Sequence, residues 1–474
     1  MASDLVLDIP MFINGKEKYS SEKILLKDKF TGENLASVAA SSASDLNYAI
    51  KTSYASSKKM REIRIDEILS VTEKVAETFF SQENKLDLIA RITGSPYKYV
   101  SSSIANSRQF LKKFQYFLDT VFGSRNFLET GKPIYEGRQK IGLRIYSPRG
   151  NIVALFLAGN EVSLAPFIIP QIIATRTPLI IKGSTAEPIS TYELIKAYHD
   201  AGLKTGINLL FWSSAQRPEL AAQLLKQAHT QVLFGSDDNI LNLIGTMKQP
   251  MSISERKHII PFWTGRSTAI VLADADLEMA AKNVIEGGHL DRGNKCVSTK
   301  KVYVQQEVFE TFVNLLKKQI LTLNIGPSTQ RQVDVGFAPK EEREQVAKKL
   351  KKEINIIHNG ITNDTINVTL VLANNESEFA REEIPAPVLA LIPVKSLDEA
   401  ITLANAAVSH AVTKKSLATT IFTTNKDKLE TAVQSLETFK ILVNKPTTNM
   451  NFFLPHQGKY IIEELLSADK VIDL

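Results

Sequence analysis

The sequence predicts an α/β protein with two doubly wound, parallel-sheet domains and a separate extended ribbon. Three observations carry this prediction. Short apolar runs alternate with amphipathic helical runs from Asn151 to about Asn239, the same alternation resumes at Thr268, and the Gly- and Pro-punctuated stretch GRQKIGLRIYSPRG precedes the first alternation. Regular exchange of strand and helix requires crossover connections, and these build parallel sheets covered on both faces.

The elements follow in order. MFINGK, Met11 to Lys16, predicts a short strand and a tight turn, because Asn14 and Gly15 tolerate the positive φ of a hairpin turn. A second turn falls at Thr31, Gly32 and Glu33. From about Ala43 to Phe122 the apolar period becomes helical, as in DEILSVTEKVAETFF and VSSSIANSRQFLKKFQYFLDTVF. The ribbon spans Gly131 to Pro148, and an exposed edge of that length needs cover. NIVALFLA, PLIIKGS, INLLFW and TQVLF then read as buried strands, separated by helices through Pro166 to Thr175, Tyr192 to Ala201 and ELAAQLLKQA. Ligands of such sheets bind beyond the carboxyl ends of strands, which makes Asn160, Lys182, Gly183 and Ser184 candidates. The loop after TQVLF holds Gly235 and Ser236, whose backbone NH groups could face a phosphate. The second α/β region runs from TAIVLADADLEMAAKNVIEGG through KKVYVQQEVFETFVNLLKKQI to PVLALIPVKSLDEAITLANAA.

Bulk properties narrow the function classes. With 43% hydrophobic and 23% charged residues among 474, the composition is that of a globular protein with a sizeable core. The formal charge of +6 is spread over lysines that sit beside acids, as in KKLKKE, so nucleic acid is not an expected partner. The apolar run from Ile152 to Ala174 is broken by Asn160, Glu161, Pro166 and Pro170, and no membrane span is expected. A single cysteine excludes an intramolecular disulfide framework, and MASDLVLDIPMFING lacks the pattern of a signal peptide, so a cytoplasmic location is expected. Neither His289 nor His456 has a second histidine or carboxylate at metal-ligand spacing, and no metal is expected. Neither GxGxxG nor GxxxxGK[ST] occurs.

That single cysteine, Cys296, lies in GNKCVSTKKVYV between a glycine and a strand. A thiol there is either a small buried hydrophobe or, near positive charge, a nucleophilic thiolate.

Eleven stretches in register resemble the aldehyde dehydrogenase superfamily over nearly the whole chain: FINGK, FTGENLASV, IYSPRGNIVALFLAGN, PLIIKGS, AGLKTGINLL, VLFGSDDN, GRSTAIVLADADLEMAA, GNKCVSTKKVYV, EEIPAPVLALI, NKPTTN and LPHQG. The resemblance implies a cofactor domain at 1–130 and 149–258, a catalytic domain at 259–443, and an oligomerisation ribbon at 131–148 and 444–474 that joins subunits into a homodimer or homotetramer. It places Cys296 on the nucleophile and Asn160 on the oxyanion asparagine; the alternative for Asn160 is a helix cap. It places Lys182 on the lysine that binds the cofactor ribose, with Ser184 and Thr185 beside it, Gly235 and Ser236 near the pyrophosphate, and Glu383 at the nicotinamide ribose.

The departures from the family pattern argue against ordinary hydrolytic activity. Where the family's general-base glutamate opens an ELGGK-like motif, this sequence reads FWTGR, so Phe262 stands at the base position; Glu255 is several residues early. Thr185 stands where a ribose-binding glutamate would repel a 2′-phosphate, so NADP as well as NAD is admitted. Pro385 replaces a phenylalanine beside the nicotinamide, Ile240 a glycine after the Gly-Ser loop, and His456 and Gln457 the usual glycine pair. The reading that follows is an NAD(P)-dependent oxidoreductase acting on an aldehyde or acyl thioester through a covalent Cys296 thioester. Without the glutamate it is expected to be acylating or reductive, with coenzyme A as partner thiol. The alternatives are a hydrolytic enzyme using Glu255 or Glu383 as base, and a non-catalytic nucleotide-binding or scaffold member.

Overall fold

The structure is a computed structural model and describes residues 7–80, 82–213, 215–246, 257–351, 355–382, 384–449 and 451–473. Among these residues two seven-stranded sheets form the frame, each largely parallel. In the first, Val153–Phe156, Leu179–Lys182, Ile207–Leu210 and Thr230–Phe234 are almost wholly buried, which is why they appear as continuous apolar runs and not as alternation. In space they follow the order His258–Phe262, Thr230–Phe234, Val153–Phe156, Leu179–Lys182, Ile207–Leu210, and the antiparallel hairpin Met11–Ile13 and Lys16–Lys18 closes one edge. The predicted turn residues of that hairpin, Asn14 and Gly15, have φ of 51° and 73°.

The chain moves outward from Val153–Phe156 through the next two strands and then returns to its other side with Thr230–Phe234. The sheet therefore has its switch point between these two strands, and a crevice opens beyond their carboxyl ends. Asn160 follows the first of them and Gly235 the second.

The second sheet is built from Thr268–Val271, Lys301–Gln305, Thr369–Leu372, Val388–Val394, Thr419–Phe422 and Ile441–Val443 in parallel, with antiparallel Ile356–His358 at one edge. The only backbone between strand His258–Phe262 of the first sheet and strand Thr268–Val271 of the second is the segment 263–267. The expected ribbon forms from Lys132–Glu136 and Gln139–Pro148, and the C-terminal strand Leu466–Asp473 pairs with the latter. Between the second sheet and this last strand, Phe452 and Phe453 pack onto the first core against Phe110. Among the described residues no helix is long and apolar enough to cross a membrane.

Candidate active site

A cavity of about 880 Å³ lies at the switch point, and Asn160, Gly235, Ser236, Phe262 and Cys296 are among its lining residues. Five residues singled out from sequence thus share one space. Lys182, Ser184 and Thr185 lie at the end of the neighbouring strand and outside that lining. The two groups abut, because a Cβ on Gly159 would come within 2.1 Å of the Ser184 Oγ. Glu383 and Glu255 lie outside the described residues.

The cysteine loop begins where helix Leu277–His289 ends. Asp291, Arg292 and Gly293 all have positive φ, of 52°, 59° and 66°. At Gly293 even a methyl group would meet the carbonyls of Gly288 and Ala386 at 2.7 and 2.8 Å. Buried Lys300 donates to the carbonyls of Gly293, Ile384 and Ala386, clamping this loop to the segment that follows Glu383. Gly265 supports the loop from behind: its own Cβ, if present, would fall 1.6 Å from the Cys296 carbonyl oxygen. Ser267 Oγ donates to the same oxygen at 3.3 Å. Cys296 itself is half-buried, so its thiol is neither sealed in a core nor open to bulk water.

Side chains flanking the two key positions tie the loops together. Asn160 Nδ2 donates to the Asn294 carbonyl at 2.9 Å, across the cavity wall, so its amide serves the cysteine loop and does not cap a helix. The helix Leu164–Ala174 is instead preceded by Ser163, whose N–H and Oγ donate to Glu161 at 3.0 and 2.7 Å. Glu161 also accepts from Tyr99 Oη at 2.7 Å and pairs with Lys295 Nζ at 2.9 Å. Burial alone would raise the Glu161 pKa, but Lys295 and the hydrogen-bond donors outweigh it and hold the carboxyl below its ordinary value. Lys295 Nζ lies 4.3 Å from the centre of the Tyr99 ring, a cation–π contact. The residue after Asn160 and the residue before Cys296 thus form one buried ion pair. Beneath it, burial pushes Asp291 up to about 7, and its carboxyl accepts from Ser95.

Phe262 ends its strand stacked on Phe234, with ring centres 4.3 Å apart and planes 4° from parallel. His456 lies 5.3 Å away, and burial pushes its imidazole down to about 4, leaving it neutral near pH 7. The cavity wall at Phe262 is therefore aromatic and uncharged. Nearby, Ser236 caps helix Asp237–Gly245, and the first-turn acid Asp237 is paired with Arg266 at 2.9 Å. Lys182 has no ion-pair partner among the described residues, and burial lowers its pKa to about 8. Among the described residues no three His, Cys, Asp or Glu side chains cluster as a metal site.

Sequence reasoning missed Glu161, Lys295, Lys300 and Glu286, the last of which also lines the cavity. Only the adjacency of Glu161 to Asn160 and of Lys295 to Cys296 could have signalled the first two.

Residues 16–459 match the family described as the aldehyde dehydrogenase family. The chain is 24% identical over 490 residues to an NADP-dependent glyceraldehyde-3-phosphate dehydrogenase of Streptococcus equinus, covering 97% of this chain and 98% of that one. It is 22% identical over 487 residues to a lactaldehyde dehydrogenase of Methanococcus maripaludis, covering 98% and 99%. Among solved structures, an NAD-dependent aldehyde dehydrogenase from Sinorhizobium meliloti superposes with a TM-score of 0.85 at 19% identity, over 98% of this chain and 94% of that one, which establishes the shared fold.

Proposed function

The chain belongs to the aldehyde dehydrogenase family and is an NAD(P)-dependent oxidoreductase of that type; on that premise we propose that Cys296 carries the substrate as a thioester that water releases slowly. The observation that supports this reading is the composition of one cavity, in which the only thiol of the chain and Asn160 share the space with Phe262 in place of a carboxylate.

In this reading the Cys296 thiolate adds to the aldehyde carbon, and the carbonyl oxygen becomes an oxyanion. The Asn160 amide carries two N–H bonds. One is committed to Asn294, and the other, with the Cys296 N–H, stabilises the oxyanion, each donor contributing about 3 kcal/mol. The nicotinamide, when bound, supplies the hydride acceptor, and expulsion of hydride from carbon restores the carbonyl as a thioester. Lys182, Ser184, Gly235 and Ser236 fit a dinucleotide: a lysine with no ion-pair partner among the described residues ends strand Leu179–Lys182, a capped helix start follows strand Thr230–Phe234, and the two flank strand Val153–Phe156 at the carboxyl edge of the sheet. Thr185 adds no carboxylate, so the site admits NADP as well as NAD, and Glu383 is assigned to the nicotinamide ribose by the family resemblance alone. The acyl group then passes to a thiol such as coenzyme A, or in reverse arrives from an acyl thioester and is reduced to aldehyde. A hydrolytic reading has one observation in its favour, the carboxylate of Glu286 in the same cavity. Acid formation from aldehyde with and without added coenzyme A separates the two.

Lys182 makes cofactor affinity depend on pH. The lysine is protonated below about 8, so the 2′-phosphate of NADP is attracted there and loses that attraction as pH rises through about 8. Calorimetric titration from pH 6.5 to 9 should show NADP affinity falling by about tenfold relative to NAD. In Lys182→Met this slope should vanish.

The ribbon supports a homodimer or homotetramer. Tyr135, Val471 and Ile472 remain exposed on it, and open apolar strand edges are normally covered. Light scattering at micromolar concentration should give at least twice the 52.6 kDa chain mass; a monomer would refute this assignment.

A further inference from the structure

The cavity contains one charge without a partner. Glu161 and Lys295 neutralise each other at 2.9 Å, His456 is neutral, and burial keeps the Tyr99 hydroxyl protonated. Apart from the reactive thiol of Cys296, Glu286 is the remaining ionisable side chain of the lining, and among the described residues it makes neither a hydrogen bond nor an ion pair through its carboxylate.

Its position on helix Leu277–His289 fixes where that carboxylate lies. Asn283, Glu286 and Leu290 are spaced i, i+3 and i+7 and so share one helix face. Asn283 donates to the Asn444 carbonyl at 3.1 Å, and Leu290 packs on the first core and lines the cavity. Glu286 lies between these two contacts, on the face that looks toward the segment 446–449 and the cavity. The cavity also has an aromatic part to its wall: Phe167 and Phe452 line it with ring centres 5.0 Å apart. A carboxylate without a partner on a cavity wall attracts an opposite charge more strongly than it would in open water. Aromatic faces likewise favour a cation.

We propose that Glu286 is a substrate-binding residue that selects aldehydes carrying a cationic, ammonium-type group and disfavours anionic ones. The inference rests on the reading that the aldehyde meets Cys296 in this cavity, and it deepens that reading by naming the substrate class. The negative charge of Glu286 lies on one wall while Cys296 and Asn160 hold the reacting carbon, so the substrate is gripped at both ends.

Three aldehydes of similar size test it on the full chain: 4-(trimethylammonio)butanal, its uncharged isostere 5,5-dimethylhexanal, and anionic succinic semialdehyde. The expected order of kcat/KM is cation, neutral, anion, with about tenfold or more between the isosteres. Glu286→Gln should collapse the cation-to-neutral ratio toward one, and Glu286→Lys should turn preference toward the anion. Equal kcat/KM for the two isosteres with the unaltered protein overturns the proposal. So does a Glu286→Gln variant that keeps the ratio, or one that slows acid release equally for every aldehyde, which would assign Glu286 to deacylation. A second readout is independent of turnover: the unreactive alcohols of the two isosteres should slow iodoacetamide alkylation of Cys296, the cationic one at about tenfold lower concentration. If no aldehyde is turned over while this difference persists, the redox reading fails and the charge selection stands. If neither alcohol protects Cys296, or both protect equally, the charge selection fails.

Discussion

Cys296→Ala should abolish aldehyde turnover, by about four orders of magnitude or more, while the affinity for NAD(P) stays within about threefold of the original. The expectation rests on how the loop is held. Its shape depends on backbone groups and neighbours: Asn160 on the Asn294 carbonyl, Ser267 on the Cys296 carbonyl and Lys300 on the Gly293 carbonyl. None of these contacts uses the sulfur, so truncation to alanine removes the proposed nucleophile and keeps all three. A half-buried thiol also leaves too little empty volume on truncation to unfold the domain. Steady-state kinetics beside calorimetry with NAD and NADP checks both halves. Turnover within tenfold of the original would mean that the chemistry lies elsewhere.

The second large effect is expected at Gly265, a residue that touches no substrate. A methyl group there would lie 1.6, 2.5 and 3.1 Å from the carbonyl oxygen, carbonyl carbon and Cα of Cys296. All three are backbone atoms, so no side-chain rotation relieves the clash. Gly265→Ala must therefore displace the peptide of Cys296, or the crossover between the two sheets. A displacement of about 1 Å lowers turnover by about 100-fold, and overpacking of this kind costs about 1–3 kcal/mol. Thermal unfolding and kcat measured on one preparation separate the two contributions. A Gly265→Ala protein with ordinary kcat would contradict the packing described for this loop.

Much of this was legible in the chain before any coordinates. Strands such as VALF, and LIIK up to its last residue, are continuously apolar because both faces are covered, and that run signals a parallel sheet without further help. That Phe262 closes an apolar strand was legible in the run HIIPF; its stacking on Phe234 was not. What stayed hidden was every contact made between distant parts of the chain. Glu161 and Lys295 are ordinary charged residues in sequence and become a buried pair only when the loops after Val153–Phe156 and helix Leu277–His289 converge. Lys300 looks like one of a pair of basic residues opening a strand, yet it is buried and clamps three carbonyls. Glu286 looks like a solvated helix acid until its face is seen to border the cavity. Periodicity reports which face of an element is apolar, and it carries no information on which charges will find partners across the fold.

The account turns on one consequence of Phe262: a thioester on Cys296 that forms readily and hydrolyses slowly. Rapid mixing of the protein with an aldehyde and NAD(P), followed by intact-mass spectrometry, tests this directly. The predicted result is a burst of about one equivalent of NAD(P)H per subunit, an acyl adduct on Cys296 that persists through the following slow phase, and its discharge on addition of coenzyme A. Steady acid formation without added thiol, at full rate and with no adduct accumulating, would contradict it.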